Sequence, residues 1–330
     1  MLLLPRLSRR RALQGSAAAL VVFGLLLWWL LPLGESTPGG KIVFSTGIKG
    51  GVYEKYGKLL RGAAANDLPD LDIELLTSDG SKQNVARVAN GGADFTIAAA
   101  DAVQRYRDDR SPGYQSLRGC ARLYDDYVHL IVPADSKVRE AKDLRGKRVS
   151  IGPADSGVRL ISEAVLEAAG LTKADITPVS STIREAPKQL KNDEIDAFFW
   201  SGGLTTDNVT DLTRRFPVRL VPLGDRLLKE LHRQGGGSSH YRAAVVPSDA
   251  YPEAKNDGPV QTLAVANLLV TTDDADPELT ESLTRTVIDH RDSIGSKVHA
   301  AQLVDLRTAI YTNPLPLHDG ASRYYRSVKP

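Results

Sequence analysis

Four short stretches of small and polar residues have the chemistry to hold an anion. The first is STGIKGGVYEKYG, Ser45 to Gly57. The apolar run Lys41-Ile42-Val43-Phe44 leads into it, and Tyr53, Tyr56, Leu59, Leu60 and Ala63 follow at helical spacing. A strand therefore turns through Gly47, Gly50 and Gly51 into a helix, whose free N–H groups attract a negative group. Gly50 and Gly51 let a carboxylate approach that backbone, with Tyr53 beside it. The second stretch runs from Thr77 through Ser78, Asp79, Gly80 and Ser81 to Asn84. The third runs from Gly152 through Asp155, Ser156 and Gly157 to Arg159, and the fourth is Trp200-Ser201-Gly202-Gly203. Arg159, one turn into its helix, can pair a carboxylate through two parallel hydrogen bonds. Asp101 opens a further helix as a capping acid. Taken singly, such residues are common turn and cap chemistry. Four such turns on one chain point to a binding cleft.

Other chemistries lack their residues. No Gly-x4-Gly-Lys-Ser/Thr and no Gly-x-Gly-x-x-Gly occurs, so neither nucleotide fingerprint is present. There is no Gly-x-Ser-x-Gly elbow around Ser156 or elsewhere, and no nucleophile–base set speaks for an enzyme. The six histidines are scattered and no two of them stand at i, i+4 with acidic company, so no metal site and no cofactor is expected. The acid pairs Asp125-Asp126 and Asp273-Asp274 read as solvated turns. Cys120, the single cysteine, sits in an apolar run and reads as a core residue.

The elements that must carry these turns alternate. Strand signals over 41–46, 71–76 and 95–100 are each followed by helical spacing, over 52–66, 81–89 and 101–108. After the long apolar run Tyr127–Pro133, a second series begins, with strands at 149–152, 176–179, 195–200 and 218–221. Its helices are expected at 158–169, 184–191, 206–216 and 225–234. A second long apolar run, Thr262–Thr272, precedes a helix over 277–291 opened by proline. Repeated strand–helix units imply a parallel sheet covered by helices, and ligands of such sheets sit beyond the carboxyl ends of the strands. A chain that crosses near 133 and recrosses near 263 makes a two-lobed clamp. The expected division is lobe 1 over 41–133, lobe 2 over 134–262 and a return to lobe 1 over 263–330.

Charge locates the chain. Residues 1–34 hold Arg6, Arg9, Arg10 and Arg11 and no acid, leaving 38 basic against 40 acidic residues in the remainder. A near-neutral body gives no reason to expect a nucleic-acid partner. From Ala12 to Gly34 there is no charge, and this apolar run is long enough to span a bilayer as a helix. The preceding arginines put its start on the cytoplasmic side and residue 35 onward outside. A core this long without a small-x-small cleavage site favours an uncleaved membrane anchor over a removed signal peptide. Residues 35–40 form a short linker. Nothing in the sequence asks for a second copy, so a monomer is expected.

Seven of these motifs, in order, resemble those of the TAXI type of solute-binding protein, the TRAP-associated extracytoplasmic immunogenic proteins. Thr46-Gly47 with Gly50-Gly51-Val52-Tyr53 is similar to that family's first loop, and Thr77-Ser78-Asp79-Gly80-Ser81 with Asn84 to its second. Ala99-Ala100-Asp101, the run Asp143 to Ser150, and Gly152 with Ser156-Gly157-Val158-Arg159 match further motifs. Ile195 to Phe199 and Pro316 to Tyr325 complete them, so the resemblance covers 41–327. It implies a type II periplasmic-binding-protein fold, in which two α/β lobes joined by two hinge strands close on a solute. It also implies a small anionic solute, a carboxylate or glutamate-like amino acid, handed to the membrane permease of a TRAP transporter. Together, the four turns and the resemblance give as ligand residues Gly51, Tyr53, Ser78, Ser81, Asn84, Asp101, Ser156, Gly157 and Arg159, with Trp200 and Gly202 from the fourth turn alone. Three positions depart from the family by exchanging a polar side chain for Val52, Ala99 and Val158. An unpartnered buried polar group costs about 1–3 kcal/mol. Either the solute is therefore less polar than glutamate, or backbone N–H groups and Arg159 carry recognition. The competing function is a sensory or adaptor module that binds a ligand and signals without transport.

Overall fold

The computed structural model describes residues 38–298 and 304–328, together with Val22 and Phe23. The expected anchor, 12–34, otherwise lies outside the described residues. Among the described residues no helix is long and apolar enough to cross a membrane.

The chain begins β1 (Gly40–Ser45), α1 (Val52–Asp67), β2 (Leu71–Leu76), α2 (Ser81–Ala89), β3 (Phe95–Ala99) and α3 (Ala100–Asp108). The long strand β4 (Leu117–Pro133) follows. A second series runs β5 (Arg148–Ser150), α4 (Gly157–Ala168), β6 (Thr177–Val179), α5 (Ala186–Lys191), β7 (Ala197–Gly202) and α6 (Asp207–Arg215). Then come β8 (Val218–Leu220), α7 (Asp225–Gln234), β9 (Arg242–Val246) and the second long strand, β10 (Val260–Thr272). The chain returns through α8 (Pro277–Asp289), α9 (Arg291–Gly295), α10 (Leu306–Ala309) and α11 (Asp319–Ser327).

Local rules account for these boundaries. In α1, Tyr56, Leu60, Ala63 and Ala64 are buried at helical spacing, and Pro69 bars its continuation. In α4 the Ser156 Oγ accepts the Arg159 N–H at 3.1 Å, and Gly170, in the left-handed region at φ +73, follows its end.

The main path of the sheet has the order β2-β1-β3-β10-β4-β7-β5-β6. The two halves share one pattern: β2-β1-β3 are parallel and met by antiparallel β10, while β6-β5-β7 are parallel and met by antiparallel β4. No sequence repeat announces this structural one. The long strands bind the halves together by changing partners. Residues 117–127 of β4 pair with β10, whereas 127–131 pair with β7. Residues 267–270 of β10 pair with β3, whereas 260–264 pair with β9. Burial follows in two clusters. Phe44, Tyr56, Phe95, Tyr124, Leu283 and Tyr324 anchor one; Val149, Ile161, Val165, Phe198, Val209 and Leu220 lie in the other.

The sequence reading differs from the structure in four places. Asp101 does not cap α3, which begins at Ala100 with Ala99 at the N-cap and no side-chain bond there. Trp200 and Gly202 end β7 instead of forming a turn. Strand β9 was not expected at all. The runs on either side of Asp125-Asp126 are one strand, so this pair is no solvated turn: both acids are buried inside β4. Strong apolar flanks carry a polar pair into a strand when each acid finds its own surroundings.

Candidate functional site

The loops beyond the carboxyl ends of β1, β2, β3, β5, β6 and β7 converge on one cavity of about 780 Å3, part of it open to solvent. One wall comes from the first half of the sheet: Gly51, Val52 and Tyr53 at the start of α1, Gly80 and Ser81 at the start of α2, and Ala99 and Asp101. The facing wall comes from the second half, with Ser156, Gly157 and Val158 at the start of α4, the 181–183 loop, and Phe199, Trp200 and Gly202 of β7. Asp126 of β4 and Val265 of β10, register partners across the two long strands, complete the lining. Helices α1 and α2 have no side-chain cap, and Ser156 satisfies only the Arg159 N–H. Three helix starts therefore turn partly positive backbone toward this region.

Eight of the eleven residues expected to bind ligand line this cavity: Gly51, Tyr53, Ser81, Asp101, Ser156, Gly157, Trp200 and Gly202. Three do not. The Ser78 Oγ donates to the Thr46 carbonyl at 3.0 Å and accepts the Gly80 N–H, shaping the loop. Asn84 is fully buried; its amide donates to the Thr46 and Ile97 carbonyls and its oxygen accepts from Ser45. The Arg159 guanidinium turns back onto the Gly152 carbonyl, at 2.7 and 3.1 Å, and onto Ser180 at 3.2 Å. The arginine expected to pair a carboxylate thus braces the loop before its own helix.

A chain of hydrogen bonds stiffens the first wall. The Ala99 N–H donates to the Ser81 Oγ at 3.1 Å, Ser81 and Tyr53 bond at 2.9 Å, and the Tyr53 hydroxyl donates to the Asn267 oxygen. On the second wall the Trp200 Nε1 donates to the Thr206 Oγ1 at 2.9 Å, which fixes the indole. Gly202 belongs to the same arrangement, because a Cβ there would lie 2.6 Å from the Trp200 Nε1.

The electrostatics run against the first expectation. Asp79, Asp101 and Asp126 line the cavity, and among the described residues no lysine, arginine or histidine does. Asp101 is 3% exposed and both its oxygens are held, by the Tyr241 hydroxyl at 2.7 Å and the Ala102 N–H at 2.8 Å. Burial still pushes its carboxyl up to about 6, against the pull of those two bonds. Asp126 is 6% exposed, and no protein group donates to its Oδ1. Burial pushes it up to about 7; the neighbouring Asn267 amide holds it down and the Asp101 charge adds to the rise.

Asp126 is the main residue the sequence reading missed, with Phe199, Val265 and the 181–183 loop. The available signal was strand alternation: Tyr124, Asp126 and Val128 fall on one side of β4 and Asp125 on the other.

Solved structures similar to the chain include a candidate L-cystine ABC transporter from Listeria monocytogenes. It has 15% identity and a TM-score of 0.51, over 80% of this chain and 98% of that one. An ancestral arginine-binding protein bound to arginine is similar at 13% identity and TM-score 0.51, over 78% and 98%. The periplasmic aliphatic sulphonate binding protein SsuA from Escherichia coli matches at 12% identity and TM-score 0.47, over 89% and 80%. At these identities the likeness concerns the fold, which is that of periplasmic binding proteins. A family model matches residues 44–328, nearly all of the described chain, and the protein therefore belongs to the NMT1-like family.

Proposed function

We propose that the protein is an extracytoplasmic solute-binding protein, not an enzyme, which captures a small carboxylate-bearing solute and delivers it to a membrane transporter. One observation carries the reading: helix starts from both halves of the sheet face each other across a single cavity. A carboxylate would be met by backbone N–H groups of Val52 and Tyr53, of Ser81, and of Gly157 and Val158, the Gly51 N–H being held by the Ile48 carbonyl at 2.9 Å. Ser78, Asn84 and Arg159 would act on the solute indirectly, by holding the loops that carry those groups.

Capture works by hinge closure between a lobe of 41–133 with 263–330 and a lobe of 134–262. The places where β4 and β10 change partners are the natural hinges. Contacts across the cleft support the motion. The Lys82 Nζ reaches the Ala154 carbonyl at 3.2 Å, and the Gln83 N–H meets the Asp155 carbonyl at 3.3 Å. The TAXI-like motifs favour a TRAP permease as the recipient. A similar fold serves proteins named for ABC transport, so the motifs and not the fold carry that choice. The apolar segment within 1–34 would tether a monomeric receptor to the outer face of the membrane.

The test is a thermal-shift screen of small carboxylates and amino acids on the full chain in mild detergent. A true solute at a hundred times its Kd should add about 2.7 kcal/mol of stability. A screen without any shift would sink the reading.

A further inference from the structure

The cavity has two kinds of electrostatic surface. The helix starts suit a negative group, yet the buried side-chain charges are all acidic. Neighbours Asp125 and Asp126 show the difference most directly. Asp125 faces away from the cavity and is paired with both Arg122, at 2.7 Å, and Arg242. Asp126 faces into the cavity, is nine-tenths buried, and its Oδ1 receives no hydrogen bond from the protein. Beside it the Asn267 Nδ2 makes no hydrogen bond of normal geometry, although its partly positive NH2 lies near enough to hold the Asp126 carboxyl down, and the Asn267 oxygen is engaged by Tyr53. The chain supplies two arginines to the acid on one face of β4 and none to the acid on the other. A buried carboxylate without a cation is poorly placed until something brings the positive charge.

We propose that Asp126, with Asp101 nearby, holds a protonated amine of the solute, so that the captured molecule is a zwitterion with an apolar body. This rests on the solute-receptor reading above and narrows its substrate class. The ammonium sits against the Asp126 Oδ1, and the carboxylate points to the starts of α1, α2 and α4. The body packs on Val52, Val158, Ile183, Phe199, Trp200 and Val265. Two of these, Val52 and Val158, stand where the resembling family carries threonine, which fits an apolar solute in place of glutamate. The ligand class is thus that of aliphatic or aromatic amino acids.

The groups facing Asp126 are Tyr53 of α1, Asp101 of α3, Tyr124 of β4 and Asn267 of β10. Burial raises both tyrosines well above 10, so they stay neutral. Asp101, pushed up to about 6, adds negative charge over the same pH range as Asp126. An ammonium binds the ionised form of Asp126, so binding expels a proton near neutral pH. Affinity for a zwitterion then rises about tenfold from pH 6 to pH 8, following the ionised fraction of a group titrating near 7. A carboxylate without an amine shows the opposite trend.

The experiment is isothermal calorimetry on the full chain in mild detergent with six probes. L-leucine and L-phenylalanine carry both groups, 4-methylpentanoate and 3-phenylpropanoate lack the amine, and 3-methylbutylamine and 2-phenylethylamine lack the carboxylate. An amino acid should bind at least 100-fold more tightly than its deaminated partner and more tightly at pH 8 than at pH 6. Runs at pH 7 in phosphate and in Tris should reveal proton release on binding, a readout that needs no variant. Asp126→Asn should weaken amino-acid binding at least 100-fold. Equal binding of the deaminated acids, proton uptake, or unchanged binding by Asp126→Asn overturns the assignment. If the deaminated acids bind and the amino acids do not, the ammonium fails while the solute-receptor reading stands. If none of the six binds, the ammonium assignment fails, and the wider screen decides the receptor.

Discussion

Replacing Asp126 by asparagine should make the ligand-free protein more stable, and by an amount that depends on pH. Asparagine keeps the shape of the side chain and removes its charge. In the folded chain the Asp126 carboxyl is raised from 3.8 to about 7. A raised carboxylate pKa means that the native state holds the proton more tightly than the unfolded one. The native protein is therefore favoured as pH falls through 7 and is penalised once the group is ionised. Integrated over the difference between the two values, the penalty is about 4 kcal/mol at pH 8 and about 2 kcal/mol at pH 5. Asp126→Asn escapes it. The variant should gain stability of that order at pH 8, on the order of 10 °C in Tm for a chain of this size, and clearly less at pH 5. Far-UV circular dichroism melts of wild type and variant at pH 5, 6.5 and 8 provide the measurement. A variant less stable than wild type at pH 8, or a gain that does not change with pH, refutes the argument that this carboxylate is held in the fold at a cost.

Two further substitutions separate the cavity from its supports. Gly202→Ala puts a Cβ 2.6 Å from the Trp200 Nε1, so the indole must leave Thr206 and shift; this should cost about 1–3 kcal/mol in denaturant unfolding and at least tenfold in solute affinity. Asn84→Ala removes three buried hydrogen bonds and leaves the Thr46 and Ile97 carbonyls short of a donor, for a loss of about 3 kcal/mol. Calorimetry on the folded fraction of that variant should show the order of preference among solutes unchanged.

Much of the architecture was open to a reader of the sequence. Period-3.6 burial in Tyr56, Leu60 and Ala64, and the mainly apolar, fully buried run of β3, follow from local rules and placed those elements within a residue or two. The loops were readable for the same reason, since glycine, serine and aspartate between a strand and a helix have few other uses. Eight of the expected ligand residues meet at one cavity because those loops all lie at the carboxyl ends of parallel strands.

What the sequence by itself determined, then, was the alternation of elements and the small, donor-rich chemistry of their turns. Both are set by neighbours a few residues away. The tertiary structure alone decided where the long side chains go. Arg159 has the right position on its helix to meet a carboxylate, but the Gly152 carbonyl lies closer and takes the guanidinium. Asp125 and Asp126 are alike in sequence, yet β4 sends one to two arginines and the other into the cavity without a counter-charge. Arg242, which completes the first of those pairs, comes from a strand more than a hundred residues away. Distant charge is what sets the character of the site, and no local pattern carries it.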